Sequence, residues 1–214
     1  MPTKHFYLDD DKTHLIELRW GLFWKNLTIS ENGQVLGQVK NQSALRAAPT
    51  FPLADGRSLT VQLRRVLMSE DLEVLIDGEP VAGSASHPAE RFKQALYTLL
   101  FLAAFNGILG IVAEVGDVDL FRALGLGYST VVVGMVYLGL YWWAKDQFSS
   151  LALHIAIGIL VLDFVLAIVY AADSQSSNSP GTGIIMRIIF CTLLYKGAQG
   201  AKKLKAQHTE LDLV

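Results

Sequence analysis

The chain has 214 residues, with 18 Lys and Arg against 20 Asp and Glu, a spread and locally mixed balance that by itself argues neither for nor against nucleic acid, and no nucleic-acid partner is expected. Hydrophobic residues make up 51% and mean hydropathy is +0.35, averages that hide a polar first part and an oily second part. The single Cys191 excludes a disulfide framework and a Cys-based metal site.

The N-terminus, MPTKHFYLDDDK, has no apolar core of the kind a cleaved signal peptide requires. The first hydrophobic span is therefore expected to act as the insertion signal. Residues 1–85 read as a duplicated β-domain. The stretch 6–36 lies over 51–81 at an offset of 45 without gaps, and eight of the 31 positions are identical: Phe6/Phe51, Leu8/Leu53, Asp10/Asp55, Leu18/Leu63, Arg19/Arg64, Leu22/Leu67, Leu27/Leu72 and Gly33/Gly78. Unrelated segments would match at about two. HLIELRW and SLTVQLR alternate apolar and polar with the period of a strand. Asn32-Gly33 and Asp77-Gly78 sit at matching places as hairpin turns. Two copies of three or four strands predict a small antiparallel sandwich or barrel.

Trp20, Phe23 and Trp24 of the first copy face Arg65, Met68 and Ser69 of the second. The three aromatics are a candidate partner-binding surface or membrane-facing patch, with core packing as the plain alternative. Asp9, Asp10 and Asp11, with Asp55, are the nearest approach to a cation site, but solvated turns explain them, and no metal or cofactor is expected. Histidines 5, 14, 87, 154 and 208 have no metal-ligand spacing, and no phosphate loop, HExxH or nucleophile elbow occurs. The expected role is accordingly not enzymatic.

Through His14, Ile16, Glu17, Gly21, Lys25 and Gly33, the first copy resembles a strand pair in the β-sandwich of Fas apoptotic inhibitory molecule. The resemblance covers about twenty residues with a small gap, and it implies a sandwich with a non-enzymatic role. As a whole the chain resembles bacterial four-helix membrane proteins of this architecture, which implies no particular activity.

After a linker at 86–94, four apolar spans are expected at about 95–113, 123–144, 148–172 and 183–200, making a four-helix transmembrane domain over 95–201. The first, ALYTLLFLAAFNGILGIVA, is free of charge and as a helix is about 28 Å long. Arg91, Lys93, Lys145, Lys202, Lys203 and Lys205 gather on one side, against Arg122 on the other. By the positive-inside rule both termini and the β-domain face the cytoplasm, beneath a bacterial inner membrane. Ala103, Gly107, Gly110, Gly127, Gly134, Ala152, Ala156, Gly197 and Ala201 supply small-residue helix faces. Asp163 and Arg187 are expected to pair between the third and fourth spans, since lone charges at that depth are costly. Lys202, Lys203 and Lys205 of the cytoplasmic tail, 202–214, are placed to meet anionic headgroups.

Two function classes follow. The leading expectation is an inner-membrane scaffold, adaptor or accessory subunit whose β-domain binds a protein partner, in a homo-oligomer or a larger membrane complex. The alternative is an oligomeric small transporter or channel with Asp163 and Arg187 along its path.

Overall fold

A computed structural model describes the chain apart from residues 10, 12, 67–68, 117–126, 174–180 and 212–214, and apart from the side chains of 65–66, 69, 167, 170–173, 181–182 and 210–211. The chain forms two compact units, Met1–Glu90 and Arg91–Val214. The expected outer loops, Arg122 within the first of them, Asp10 and Met68 lie outside the described residues, as do the side chains of Arg65, Ser69 and Tyr170.

The first unit holds two four-stranded antiparallel sheets. One contains β1 (Thr3–Tyr7), β2 (Leu15–Arg19), β3 (Leu27–Glu31) and β4 (Gln34–Val39); the other contains β5 (Thr50–Pro52), β6 (Ser58–Val66), β7 (Ser69–Ile76) and β8 (Glu79–Pro80). A short helix, α1 (Gln42–Arg46), joins them, its first turn capped by Asn41 Oδ1, which accepts from Ala44 N at 2.9 Å. Period-two alternation does what it predicts. Ile16 and Leu18 are fully buried while Glu17 and Arg19 point outward, and Leu59, Val61, Leu72 and Val74 are buried in the second sheet. Residues of both sheets meet in one core with Phe6, Leu27, Ile29 and Leu45. Each such side chain contributes roughly 1.5–3 kcal/mol relative to exposure.

Both hairpin turns form as their dipeptides predict. Asn32 and Gly33 have φ of 47° and 86°, and Asp77 and Gly78 have φ of 50° and 87°. Positive φ at both central residues is the turn that matches strand twist, and Asn-Gly or Asp-Gly tolerates it best. Each turn residue also fastens the strand behind it. Asn32 Oδ1 accepts from Leu15 N at 2.9 Å, and Asp77 Oδ1 accepts from Ser58 N at 2.9 Å.

These pairings correct the gapless alignment of the repeats. Leu18 faces Ile29 in the first sheet, so a constant offset of 45 would set Leu63 against Val74. Instead Val61 faces Val74 and Leu63 faces Leu72. β6 is displaced by two residues against β2, while β1, β3 and β4 keep the 45-residue offset to β5, β7 and β8. The slip is even, so every side chain stays on its own face. The shorter β5–β6 connection, 53–57 against 8–14, absorbs one side of it. On the other side, β6 and β7 extend as a ribbon where the first copy has the loop 20–26.

The second unit is helical and contains α2 (Pro88–Val115) from Arg91 onward, α3 (Tyr128–Gln147), α4 (Ser150–Asp173) and α5 (Gly181–Leu211). The helices overrun the expected spans, most clearly at the start of α2 and the end of α5. Apolar runs mark lipid-compatible composition, whereas a helix continues through any residues with helical propensity, such as KKLKAQ. All four helices contribute to one buried cluster, much of it alanine: Ala95, Ala103, Ala144, Ala152, Ala156, Ala198 and Ala201. A Cβ on Gly134 would lie 2.8 Å from Gly107 N and 2.9 Å from Ala103 O, and one on Gly110 would lie 2.8 Å from Val131 N. Gly197 packs as tightly on Ala95 and Arg91 of α2. Among the described residues, Pro88–Val115 and Gly183–Thr209 are long and apolar enough to cross a membrane by length and composition, and Ser150–Leu166 is a shorter apolar stretch. α3 is apolar in its first half and ends in Tyr141, Trp142, Trp143, Lys145 and Asp146.

Candidate functional site

The aromatic triplet of the first copy is split by the fold. After Arg19 the chain leaves β2 and makes a single 3-10 turn at Leu22–Trp24 before β3. Trp20 and Trp24 stack with ring centroids 4.7 Å apart and pack, half-buried, against the core. They are the floor of the loop. Phe23 is 77% exposed and its neighbour Leu22 is 83% exposed. Leu22 has no distinguishing signal in the sequence, because it aligns with Leu67 as an ordinary conserved-type apolar position of the repeat. Phe23, Trp24 and Asn26 have φ of 54°, 59° and 52°. For Phe and Trp this left-handed conformation is sterically costly and rare. Gly21 N donates to Lys25 O at 2.7 Å and Asn26 N to Lys40 O at 3.1 Å, which fixes the loop at both ends.

A groove of about 640 Å³ opens at the other end of the sheets, lined by Tyr7, Asp9, Arg57, Asp77, Glu79 and Pro80 among others. It is assembled from the β1–β2 and β5–β6 connections and the β7–β8 turn. That the ends coincide is fixed also by Ala54 N, which donates to Glu31 Oε2 at 3.1 Å. Arg57 Nε donates to Asp55 Oδ2 at 2.6 Å. That bond, with the charges of Asp55, Asp77 and Asp9, raises the Arg57 guanidinium further above its ordinary range and holds Asp55 below the usual carboxylate range. Asp9 accepts from the Thr13 hydroxyl, from Thr13 N at 2.9 Å and from His14 N at 3.2 Å, and the Thr13 hydroxyl is the main cause of its lowered pKa. Asp9 and Asp55 thus hold their own turns in shape. Among the described residues no group of three His, Cys, Asp or Glu is arranged for a metal.

Glu73 on β7 was not singled out by any sequence pattern. It is 2% exposed, and Gln62 Nε2 and Arg64 Nη1 donate to it at 2.6 and 3.0 Å. Burial alone would raise its pKa; the nearby Ser86 hydroxyl first, then Arg64 and Gln62, outweigh that and leave it lowered.

In the second unit the structure brings Asp163 and Arg187 together. Arg187 Nη2 lies 2.6 Å and Nε 3.2 Å from Asp163 Oδ2, and the guanidinium also sits over Phe164 at 5.6 Å. The Asp163 side chain is 62% exposed and that of Arg187 27%. Beside the pair is an apolar cleft of about 270 Å³ between α4 and α5. His154 Nδ1 is 2.6 Å from Ser150 O, and Asn106 Nδ2 donates to Leu102 O at 2.7 Å; both side chains bond within their own helices. Glu114 is more than a solvated end residue. Its Oε1 accepts from Tyr128 N at 3.2 Å, where a carboxylate favours the start of α3. Lys202, Lys203 and Lys205 are exposed on the last turns of α5, while Leu204 between them packs inward.

In comparisons with known proteins, no family model, no curated protein and no solved structure matches the chain.

Proposed function

We propose that the chain is a non-enzymatic scaffold or accessory subunit of a bacterial inner membrane, in which a four-helix transmembrane bundle carries a cytoplasmic β-sandwich that binds a protein partner. One observation carries the membrane reading. The helical unit keeps small residues inside and turns large apolar ones outward: Phe101, Phe105, Ile108, Val132, Met135, Leu162, Leu166 and Ile188 are all exposed beside an alanine-rich core. Water would penalise that distribution heavily, whereas lipid removes the penalty and favours close helix contact through small residues. Lys145 over Trp142 at 5.4 Å, with Tyr141 and Trp143, and the exposed Lys202, Lys203 and Lys205 fit the cytoplasmic headgroup level.

The partner site of this reading is the groove around Arg57. Its aromatic, proline and charged lining suits a polar peptide segment or loop, and the resemblance of the first copy to the Fas apoptotic inhibitory molecule sandwich supports a non-enzymatic role. The test is native mass spectrometry of the gently solubilised full chain, wild type against Arg57→Glu. A partner at fixed stoichiometry that is lost in the variant is expected; a closed homo-oligomer with no second component, unchanged in the variant, would sink the adaptor reading. The second reading, an oligomeric transporter or channel, is favoured by the exposure of Asp163 and Arg187, since an uncovered ion pair is costly in hydrocarbon. It requires a hydrated Asp163, which solvent exchange at that position measures directly.

A further inference from the structure

We infer that the loop Trp20–Asn26 is a membrane-dipping tip, which seats Leu22 and Phe23 just below the headgroups of an anionic lipid leaflet. The inference rests on the membrane reading above and adds a second, non-helical contact with the bilayer. Four observations meet at this loop. Leu22 and Phe23 project side by side, 83% and 77% exposed, the most exposed large apolar side chains described in the β-domain after Met1. They are held out rather than loosely displayed, because Phe23 and Trp24 adopt left-handed backbone conformations that collapse of the loop would relieve. Beneath them the stacked Trp20 and Trp24 give a rigid amphipathic base of the type that sits well at a membrane interface.

Charge supplies the third argument. The segment WGLFWKN contains no carboxylate, and its exposed cation Lys25 is joined by exposed Lys40, whose carbonyl accepts from Asn26 N. Two lysines flanking an apolar tip complement an anionic leaflet, and their stems reach past buried apolar groups to the phosphates. Chain length is the fourth. Ser84 Oγ accepts from Val74 N at 3.0 Å, so the chain is still fastened to the β-domain there. From Ser84 to Pro88 is at most about 14 Å of extended chain, and from Pro88 to Ala95, where the charge-free run begins, about 10 Å of helix. A domain of this size has a radius of gyration of about 12 Å. The tether is therefore short beside the domain, and a weak apolar tip on it acts at high effective concentration.

The experiment uses the full chain with Cys191 replaced by alanine, in nanodiscs of phosphatidylethanolamine and phosphatidylglycerol. Spin labels are placed singly through Phe23→Cys, Leu22→Cys, Val35→Cys and Ile108→Cys, and the accessibility of each to oxygen and to a water-soluble nickel complex is compared. Val35 is exposed on the edge strand β4 and Ile108 is exposed on α2. The expected result is oxygen-dominated accessibility at 22, 23 and 108, with nickel-dominated accessibility at 35. Nickel-dominated accessibility at 22 and 23 with oxygen at 108 overturns the tip and leaves the membrane reading standing. Shielding of 22 and 23 from both reagents overturns it in favour of a protein contact. Nickel-dominated accessibility at 108 overturns the membrane reading itself, and the tip with it.

Discussion

Arg187 reaches across from α5 to place its Nη2 2.6 Å from Asp163 Oδ2 on α4. Because the two helices otherwise meet through apolar side chains, this is the directional contact between them at that level, and removing one member strands the other charge. Asp163→Asn is expected to lower the stability of the detergent-solubilised chain by about 1–2 kcal/mol. Arg187→Gln should cost a similar amount, and the double variant should cost less than the sum. Thermal unfolding of the four proteins checks this, and strictly additive losses would mean the pair contributes nothing as a pair.

Gly134 and Gly139 provide a matched contrast on one helix. A Cβ at 134 would press on the backbone of Gly107 and Ala103, while one at 139 would meet nothing within 4 Å. Gly134→Ala should destabilise the helical unit by about 1–3 kcal/mol. Gly139→Ala should be neutral or stabilise by up to about 1 kcal/mol, through helix propensity. Unfolding in mixed micelles distinguishes the two, and equal effects would rule out backbone contact between α2 and α3.

Replacing Asp77 by alanine removes the acceptor for Ser58 N and Ser58 Oγ and leaves a left-handed position without its preferred residue type. The expected loss is about 1–2 kcal/mol in chemical denaturation of the β-domain signal. Asn32→Ala should cost about as much, because it does the same service for Leu15 N.

Glu73 carries a pH prediction. Its folded pKa is lowered, so the ionised form is favoured by folding, and the resulting stability is present above the unfolded pKa and lost as pH falls through the folded one. Glu73→Gln should be less stable than wild type by about 1–3 kcal/mol at pH 7. The gap should begin to close below about pH 4.5, where the unfolded chain starts to take up the proton. Denaturation midpoints of both proteins between pH 3 and 7 measure it, and a gap that stays constant to pH 3 would remove Glu73 as its source.

How much of this was legible in the sequence differs from residue to residue. Asn32-Gly33 and Asp77-Gly78 announced their turns because few other dipeptides accept positive φ twice. The even displacement of β6 left no trace, since a two-residue slip preserves the alternation that reveals a strand, and Leu18/Leu63 and Arg19/Arg64 then match by sequence without being structural equivalents. Asp163 and Arg187 were visible as a pair because charges in apolar runs are rare and helical depth is simple arithmetic. Trp20 and Trp24 were not separable from Phe23 in the sequence; only the strained turn puts two rings down and one out. The Arg57 groove was invisible for a different reason, being built from three connections far apart in the chain. Helix ends were missed because the apolar composition stops before the helix does, whereas backbone hydrogen bonding continues through polar residues of good helical propensity.

Each sheet takes all four strands from one copy of the repeat, and no strand crosses between them. A single copy consequently has an apolar face with nothing of its own to cover it, and the other copy covers it. Because both copies lie on one chain that association is intramolecular, and the two differ at one end, where the first has the Leu22–Phe23 loop and the second its longer ribbon. Severing the chain near Ala48, between α1 and β5, should accordingly leave two fragments that recognise each other.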